Sequence, residues 1–218
     1  MSKAKAPSPR TKVRRRGGRG RYDQETIHAI LDAGLVGHMA FVKDDQPYAI
    51  PMLYARRERT LYLHGSPLSR LIKSTSGGIP VCFTVTLLDG LVLARSAFHH
   101  SVNYRSVVVL GQVGVVTDEG EKRMALDTLV EHVAPGRTAE ARGPSAEELA
   151  ATEVLALALE EVSAKARTGP PIDAPDDYAL PVWAGEIPLA VSAGGPISDP
   201  RCSVGPPGYV QRLVASYG

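Results

Sequence analysis

One stretch of the chain combines a predicted strand end, a predicted helix start and several polar side chains. The N-terminus of a helix carries unpaired N–H groups and a partial positive charge, which suits a phosphate. Hydroxyl and cationic side chains follow at the same place and would add hydrogen-bond donors. A serine that simply caps an amphipathic surface helix is the alternative, and the residues alone leave both interpretations open. The polar and small residues of this stretch are His64, Gly65, Ser66, Ser69, Arg70 and Lys73.

A second group of polar residues precedes an apolar strand. Tyr104, Arg105 and Ser106 come directly before the apolar run Val107–Leu110. Polar side chains at the mouth of such a strand can hydrogen-bond to a heterocyclic ring. A polar loop in which Arg105 pairs with an acidic residue is the alternative.

Three histidines and the single tryptophan complete the candidates. His99 and His100 are possible ligands of haem or a metal ion. Neighbouring residues of a strand point to opposite faces, so the pair cannot readily serve one metal, and we expect no metal site. His64 either lines a pocket or caps the end of the barrel. Trp183 either packs in the core or contacts a cofactor.

The composition of the 218-residue chain is that of a globular protein. Hydrophobic residues make up 44 % and charged residues 22 %, which is ordinary for a folded domain. No apolar run approaches the about 18–20 residues that a membrane helix needs, and no secretory signal follows the basic start of the chain. The two cysteines, Cys82 and Cys202, are interpreted as free thiols in a reducing compartment. We therefore expect a cytoplasmic protein.

Charge is distributed unevenly along the chain. The first 22 residues hold nine Lys or Arg and no acidic residue, so the remaining chain has 16 basic against 23 acidic residues. A basic arm on an acidic body can bind nucleic acid or an anionic surface. No aromatic residue precedes Tyr22, so the arm offers no platform for base stacking. We expect residues 1–21 to form a disordered, solubilising arm.

Hydrophobic periodicity predicts a mainly β domain with helices over residues 22–191 and an irregular tail over residues 192–218. Asp89-Gly90 is a typical hairpin turn. About seven strands in order, interrupted by a short and a longer helix, favour an antiparallel barrel over a parallel sheet. Helices are predicted after Asp23, after Ser66-Pro67 and over Asp118–Val133; extended segments are predicted over Val36–Val42, Tyr48–Arg56, Thr60–His64, Ile79–Leu88, Leu91–Ala97, Tyr104–Thr117, Val154–Lys165 and Leu180–Leu189.

Two common nucleotide-binding motifs are missing from the sequence. No G-x-G-x-x-G links a strand to a helix, and no Walker A sequence is present. These absences argue against a Rossmann or P-loop nucleotide site.

The order of elements and four motifs resemble the FMN-binding split-barrel superfamily. That superfamily includes pyridoxamine 5′-phosphate oxidase and the nitroimidazole-resistance (Nim-type) proteins, and the chain is most similar to the Nim-like, flavin-nucleotide-binding branch. The resemblance extends from about Tyr22 to Leu189. Its motifs are Tyr62–Ser66, Asn103–Gly111, Glu121-Lys122 with Ala125-Leu126, and Pro181–Gly185.

The resemblance implies an antiparallel split β-barrel that binds FMN at the interface of a homodimer. Ser69 and Arg70 resemble a Ser-Arg pair that contacts the FMN phosphate, and His64 matches a histidine near the reactive centre of Nim-type proteins. Ser106 stands where the oxidases carry a flavin-contacting glutamine. Trp183 lacks the Arg-Pro that follows it in true pyridoxamine 5′-phosphate oxidases, which argues against the vitamin B6 reaction.

These residues lead to three functional hypotheses. The first is an FMN-dependent oxidoreductase that passes electrons from a reduced nicotinamide to a small acceptor, with His64 as a proton donor. The second is a non-catalytic flavin carrier or sensor that uses the same pocket. The third is a haem-binding relative in which His64, His99 or His100 is the axial ligand.

Overall fold

The computed structural model describes residues 4–75 and 77–217. In this part of the chain the helices are α1 (Gln24–Ala33), α2 (Arg70–Thr75), α3 (Glu119–Val133), α4 (Ala146–Ala150) and α5 (Gly208–Ala215). The strands are β1 (Gly20–Arg21), β2 (Val36–Lys43), β3 (Gln46–Leu53), β4 (Ala55–Arg57), β5 (Thr60–Gly65), β6 (Pro80–Leu93), β7 (Ser101–Gln112), β8 (Gly114–Val115), β9 (Glu153–Ala158), β10 (Glu161–Arg167) and β11 (Gly185–Pro188).

Two antiparallel sheets share these strands. The larger sheet has the order β1-β10-β7-β6-β2-β3, with β11 paired to β6, and the smaller sheet has the order β4-β5-β9-β8. The chain changes sheet at Tyr54, between β3 and β4, and again at Leu159 and Glu160, between β9 and β10. The prediction of a mainly β, antiparallel split-barrel domain with helices is confirmed.

The core lies between the two sheets and beneath α1. Tyr54 is fully buried where the chain changes sheet, and its hydroxyl donates to the carbonyl of Leu31 at 2.6 Å. Its ring contacts the edge of Phe83 with centroids 5.2 Å apart. Helix α1 begins as predicted, since the Asp23 carboxylate accepts a hydrogen bond from the Thr26 N–H at 2.8 Å.

The hairpin predicted at Asp89-Gly90 is wrong. Strand β6 runs through this position without reversing and only shifts its register to β7 between Leu88 and Gly90. The reason lies far away in the sequence, because β11 adds to β6 here and the Leu189 N–H donates to the Asp89 carbonyl at 3.0 Å. A Cβ at Gly90 would lie 3.0 Å from the Ile187 carbonyl oxygen, so glycine permits the close approach of β11.

The single strand predicted over Val154–Lys165 is also wrong. Leu159 and Glu160 separate β9 from β10, and the two strands belong to different sheets. The Leu159 N–H donates to the Arg59 carbonyl at 2.8 Å, which closes the end of the smaller sheet. The alternation of Leu155, Leu157 and Leu159 is interrupted by Glu160 and Glu161, and apolar residues resume at Val162, so the two adjacent glutamates were the one sign of the break in the sequence.

The tail predicted to be irregular over residues 192–218 contains α5. The helix is held by Tyr209, whose ring is buried and whose hydroxyl accepts from the Arg137 guanidinium at 2.6 Å. Contact with a residue so distant in sequence explains why the Gly- and Pro-rich composition of the tail gave no sign of a helix.

Residues 4–21 of the predicted arm lie against the barrel through contacts that the sequence did not indicate. Strand β1 pairs with β10, and Arg10 lies 3.5 Å from Glu161 at the start of β10. Residues 1–3 lie outside the described residues. No helix within the described residues has both the length and the hydrophobicity to cross a bilayer.

We expect Gly37→Ala to destabilise the fold. Gly37 lies on β2 directly under the Phe83 ring, and a Cβ at this position would overlap that ring. Overpacking of this kind costs about 1–3 kcal/mol, and urea unfolding measures it. Gly114→Ala is the matched control, because a Cβ there meets nothing within 4 Å. Equal loss of stability in the two variants would contradict the assignment of strain to the Phe83 contact.

Candidate functional site

The junction between β5 and α2 opens into a cleft of about 350 Å³. Four predicted site residues lie together in its wall, and apolar residues of β3 form the opposite side. The surface therefore combines an apolar face with polar groups at one end, as sites for ring-containing ligands do. The lining residues are Ile50, Pro51, Met52, Leu53, His64, Gly65, Ser69, Arg70 and Leu71.

The chain makes a tight turn before α2 begins at Arg70. The predicted helix cap at Ser66 is wrong, because Ser66 Oγ accepts from the Leu68 N–H at 3.2 Å and closes this turn instead. Ser69 takes the capping position, with its Oγ accepting from the Ile72 N–H at 3.3 Å and its carbonyl from the Lys73 N–H at 3.1 Å. The shift brings Ser69 into the cleft.

Arg70 is held at the rim of this cleft by an aromatic contact. Its guanidinium carbon lies 4.9 Å from the centroid of the Tyr48 ring on β3, a cation–π arrangement that fixes the position of the charge. The N–H groups of the guanidinium plane stay free to bind an anion in this geometry. Ser66 and Lys73 are exposed beside the cleft and do not line it.

His64 lies where this cleft meets a second one of about 580 Å³. The imidazole makes no hydrogen bond to any residue that the structure describes. Removal of solvent by the surrounding walls lowers the pKa of His64 from its ordinary value of 6.5. The ring is therefore neutral at pH 7, with a free nitrogen that can ligate a metal or accept a hydrogen bond.

The second cleft has an apolar wall from α3 and a polar rim from the loop that precedes α4. Leu126, Leu129 and Val130 supply the wall. At the rim, Arg142 donates two hydrogen bonds of 2.7 Å to Glu148. These bonds and one from the Ser145 N–H lower the pKa of Glu148 to about 2, so the rim carries a fixed ion pair.

Sequence reasoning missed the contribution of α3 to this site. In the helix predicted over Asp118–Val133, the spacing of Leu126, Leu129 and Val130 predicts a buried face. In the structure Val130 is exposed in the cleft and Leu126 is half-buried. One signal for this contribution was available in the sequence. The apolar face of α3 is wider than the area of core that it covers, so part of that face had to lie elsewhere.

Tyr104, Arg105 and Ser106 lie elsewhere, on β7 of the larger sheet. Arg105 binds both carboxylate oxygens of Asp89, with its Nη2 at 2.7 Å from Oδ1 and its Nε at 3.0 Å from Oδ2. Arg105 is therefore paired with an acidic residue, which is the alternative to a ring contact that the sequence analysis left open. Ser106 Oγ donates to the Lys165 carbonyl at 3.3 Å. None of the three lines either cleft beside His64.

Trp183 precedes β11 and is also separate from His64. Its side chain is exposed, with 65 % of its surface accessible, and its ring packs over Gly185. Strand β11 is tied to β7 by Glu186, which accepts from the Asn103 amide at 2.5 Å. Trp183 is therefore a surface residue of this chain rather than part of its core.

His99 and His100 are each tied to Ser96. The Ser96 hydroxyl lies 2.9 Å from His99 Nδ1, and the Ser96 carbonyl lies 3.0 Å from His100 Nδ1. His99 also approaches Asp173 and Asp177, with ligand-type atoms within 4.8 Å of one another. The buried Asp173 carboxylate already accepts from the Arg95 backbone and guanidinium, at 3.1 and 3.0 Å, so this group is built around an internal ion pair.

A comparison with protein families identifies the family to which this chain belongs. A family model described as pyridoxamine 5′-phosphate oxidase matches residues 23–166, which include α1, the β5–α2 junction and β7. The chain belongs to the pyridoxamine 5′-phosphate oxidase family. Trp183 and the rest of the C-terminal segment lie after residue 166, outside the region that the family model matches.

Two solved structures are similar to this member of the pyridoxamine 5′-phosphate oxidase family over most of its length. The flavocytochrome Anf3 from Azotobacter vinelandii is 41 % identical, the match covers 96 % of this chain and 98 % of that chain, and the TM-score is 0.91. The FAD and haem binding protein from Mycobacterium smegmatis is 36 % identical over 90 % and 97 % of the two chains, with a TM-score of 0.86.

A more distant structure shares the fold. A putative 5-nitroimidazole antibiotic resistance protein from Bacteroides thetaiotaomicron is 24 % identical, with 67 % of this chain and 85 % of that chain covered and a TM-score of 0.57. No curated protein matches this family member.

Proposed function

We propose that this chain is a redox protein that binds a flavin nucleotide together with a haem. The observation that carries the proposal is the position of His64, a neutral imidazole at the meeting point of two clefts. The names of two similar solved structures support it, since one is a flavocytochrome and the other an FAD and haem binding protein.

The cleft at the β5–α2 junction is the proposed flavin site. Arg70, fixed on Tyr48, and the Ser69 hydroxyl would bind the flavin phosphate. The apolar side chains of β3, Ile50 and Met52, would face the ring. A bound flavin supplies hydride and electron transfer. The sequence resemblance implies FMN, whereas the name of the Mycobacterium smegmatis relative points to FAD; the mass of the flavin released by heating distinguishes them.

The larger cleft beside α3 is the proposed haem site. Its apolar wall suits a porphyrin, and His64 presents a ligand nitrogen at the boundary with the flavin cleft. Arg142, paired with Glu148, lies at the rim of this cleft, where the haem carboxylates would lie. A bound haem supplies one-electron chemistry. In this arrangement His64 would hold the iron, and it lies at the boundary of the two clefts.

The pH dependence of haem binding should reflect the lowered pKa of His64. Only the neutral imidazole ligates iron. Desolvation penalises the charged ring, so the ring stays neutral as pH falls through 6.5, its ordinary pKa. We expect the Soret band to persist at pH 6.5 and to decline only at lower pH, where the ring protonates. Loss of the band centred above pH 7 in an absorbance titration would contradict a depressed His64 pKa.

The flavin site is proposed to be completed by a second copy of the chain. Tyr104, Arg105, Ser106 and Trp183 lie away from the cleft beside His64, so a flavin that contacts both sets needs a homodimer. Exposed apolar side chains near Trp183, including Val182 and Ile187, provide surface for such contact. Light scattering after gel filtration tests the dimer, and a monomer with bound flavin would contradict it.

We propose electron flow from a reduced nicotinamide through the flavin to a small acceptor, in the cytoplasm. Both cysteines are free thiols, as a reducing compartment requires. Anaerobic addition of NADH tests the donor, because bleaching of the flavin band shows reduction. Absence of bleaching with NADH and NADPH would instead favour a flavin carrier or sensor.

The absorbance spectrum of the purified protein is the direct test. We expect a flavin band together with a Soret band that shifts on addition of dithionite. A flavin band alone, even after addition of haemin, would refute the haem site. Neither band, with neither cofactor binding when added, would refute the whole proposal.

A further inference from the structure

The N-terminal arm (residues 4–22) folds into a loop that closes on itself. The Val13 N–H donates to the Tyr22 hydroxyl at 2.8 Å, which closes the second half of the arm, from Val13 to Tyr22, into a loop. Ser8 Oγ donates to Glu161 on β10 at 2.5 Å, and Thr11, only 4 % exposed, donates through Oγ1 to the Ser8 carbonyl at 3.0 Å. These contacts give the arm a defined shape on the barrel.

The arm lines a cleft of about 1040 Å³, here called the arm cleft. Every residue that lines it belongs to the arm, and no acidic residue is among them. Three cations line it, Lys5, Lys12 and Arg14. The arm cleft is therefore a strongly positive concave surface.

These three cations are unpaired. Lys5, Lys12 and Arg14 make no ion pair and no side-chain hydrogen bond within residues 4–75 and 77–217. Arg10, in the same arm, is turned outward to Glu161 at 3.5 Å and does not line the cleft. Like charges gathered around one cavity repel one another, and a bound anion relieves that repulsion. The arrangement thus favours an anionic ligand.

The rest of the lining indicates what kind of anion fits. Small apolar residues, among them Ala6, Pro7 and Val13, line the arm cleft together with the three cations and Tyr22. They offer a surface for a flat ring next to positions for phosphate oxygens. We propose that the arm cleft binds a phosphorylated nucleotide.

The shape of the cleft favours a small molecule over a nucleic-acid strand. Ligand pockets hold about 300–1,000 Å³, close to the size of the arm cleft. Strand binding uses a groove that follows the backbone and several aromatic platforms. Tyr22 is the one aromatic residue among those that line the arm cleft.

The arm cleft shares no lining residue with the two clefts beside His64. Pro7 and Tyr22 also border a small cavity with Arg59, the residue before β5. His64 lies near the other end of β5, and five residues of strand at about 3.3 Å each place the two ends about 17 Å apart. The arm cleft therefore lies apart from His64 within this chain.

Calorimetric titration with ADP tests the site. The cleft variant is Lys5→Ala with Lys12→Ala and Arg14→Ala. The matched control is Arg15→Ala with Arg16→Ala and Arg19→Ala, which removes the same charge from the same arm but from residues that do not line the cleft. We expect ADP to bind the full chain, and the cleft variant to bind at least about tenfold more weakly, as loss of one charge-assisted bond produces. The control should stay within about threefold, since exposed charges are largely screened by salt.

Three results would overturn the proposal. The first is no heat of binding with millimolar ADP. The second is equal loss in the two triple variants, which would show attraction by overall charge. The third is tighter binding of single-stranded oligothymidylate than of ADP with equal loss in both variants, which would assign the arm to nucleic acid. Circular dichroism of each variant verifies the fold, so that lost binding reports on the cleft.

Discussion

Replacing His64 with alanine is expected to remove the Soret band of the purified protein and to leave its flavin band in place. The imidazole is neutral, free of hydrogen bonds within the described residues, and open to the cleft of about 580 Å³ beside α3. Alanine leaves no nitrogen at this position, so the iron loses its ligand and haem binding falls to background. The flavin stays bound because Ser69 and Arg70 are unchanged. Absorbance after haemin addition and gel filtration measures both groups.

The two adjacent histidines provide matched controls for this experiment. His99 and His100 are both tied to Ser96 and line neither cleft beside His64. We therefore expect His99→Ala and His100→Ala to keep a full Soret band. Loss of the band in either control, with retention in His64→Ala, would place the haem beside His99 and His100 and refute its assignment to the cleft beside α3.

The features that sequence could predict are those decided within a few residues. The capping of α1 by Asp23 depends on Thr26, three residues later, and the polar junction after β5 is continuous in sequence. The same local logic failed at Ser66, where two neighbouring serines compete. A turn closed by Ser66 moves the cap to Ser69, and residue types alone do not decide between these positions.

The features that sequence could not predict depend on partners far along the chain. Asp89-Gly90 has the composition of a hairpin, but β11 docks on β6 there and converts the turn into an irregular stretch of strand. The spacing along α3 predicts a buried apolar face, because periodicity shows that a face is apolar and not what covers it. The cleft beside His64 depends on that face.

Arg70→Ala is expected to weaken flavin binding far more than Lys73→Ala. Sequence spacing gave the two cations equal weight, one helical turn apart. The structure separates them, because Arg70 lines the β5–α2 cleft on the Tyr48 ring whereas Lys73 is exposed outside it. A lost charge-assisted bond costs about 1.5–3 kcal/mol, which is a loss of about 10- to 150-fold in affinity. A surface change costs about 0.5 kcal/mol or less.

Titration of apoprotein with FMN and with FAD, followed by flavin fluorescence, measures these affinities. Lys73→Ala is the matched control, because it removes the same charge from the same short helix. Arg70→Lys should fall between wild type and alanine, since lysine keeps the charge but loses the planar contact with Tyr48 and the two-pronged donor geometry. Equal effects of the two alanine substitutions would mean that the phosphate senses only overall charge, and an unchanged affinity in Arg70→Ala would remove the phosphate from this cleft.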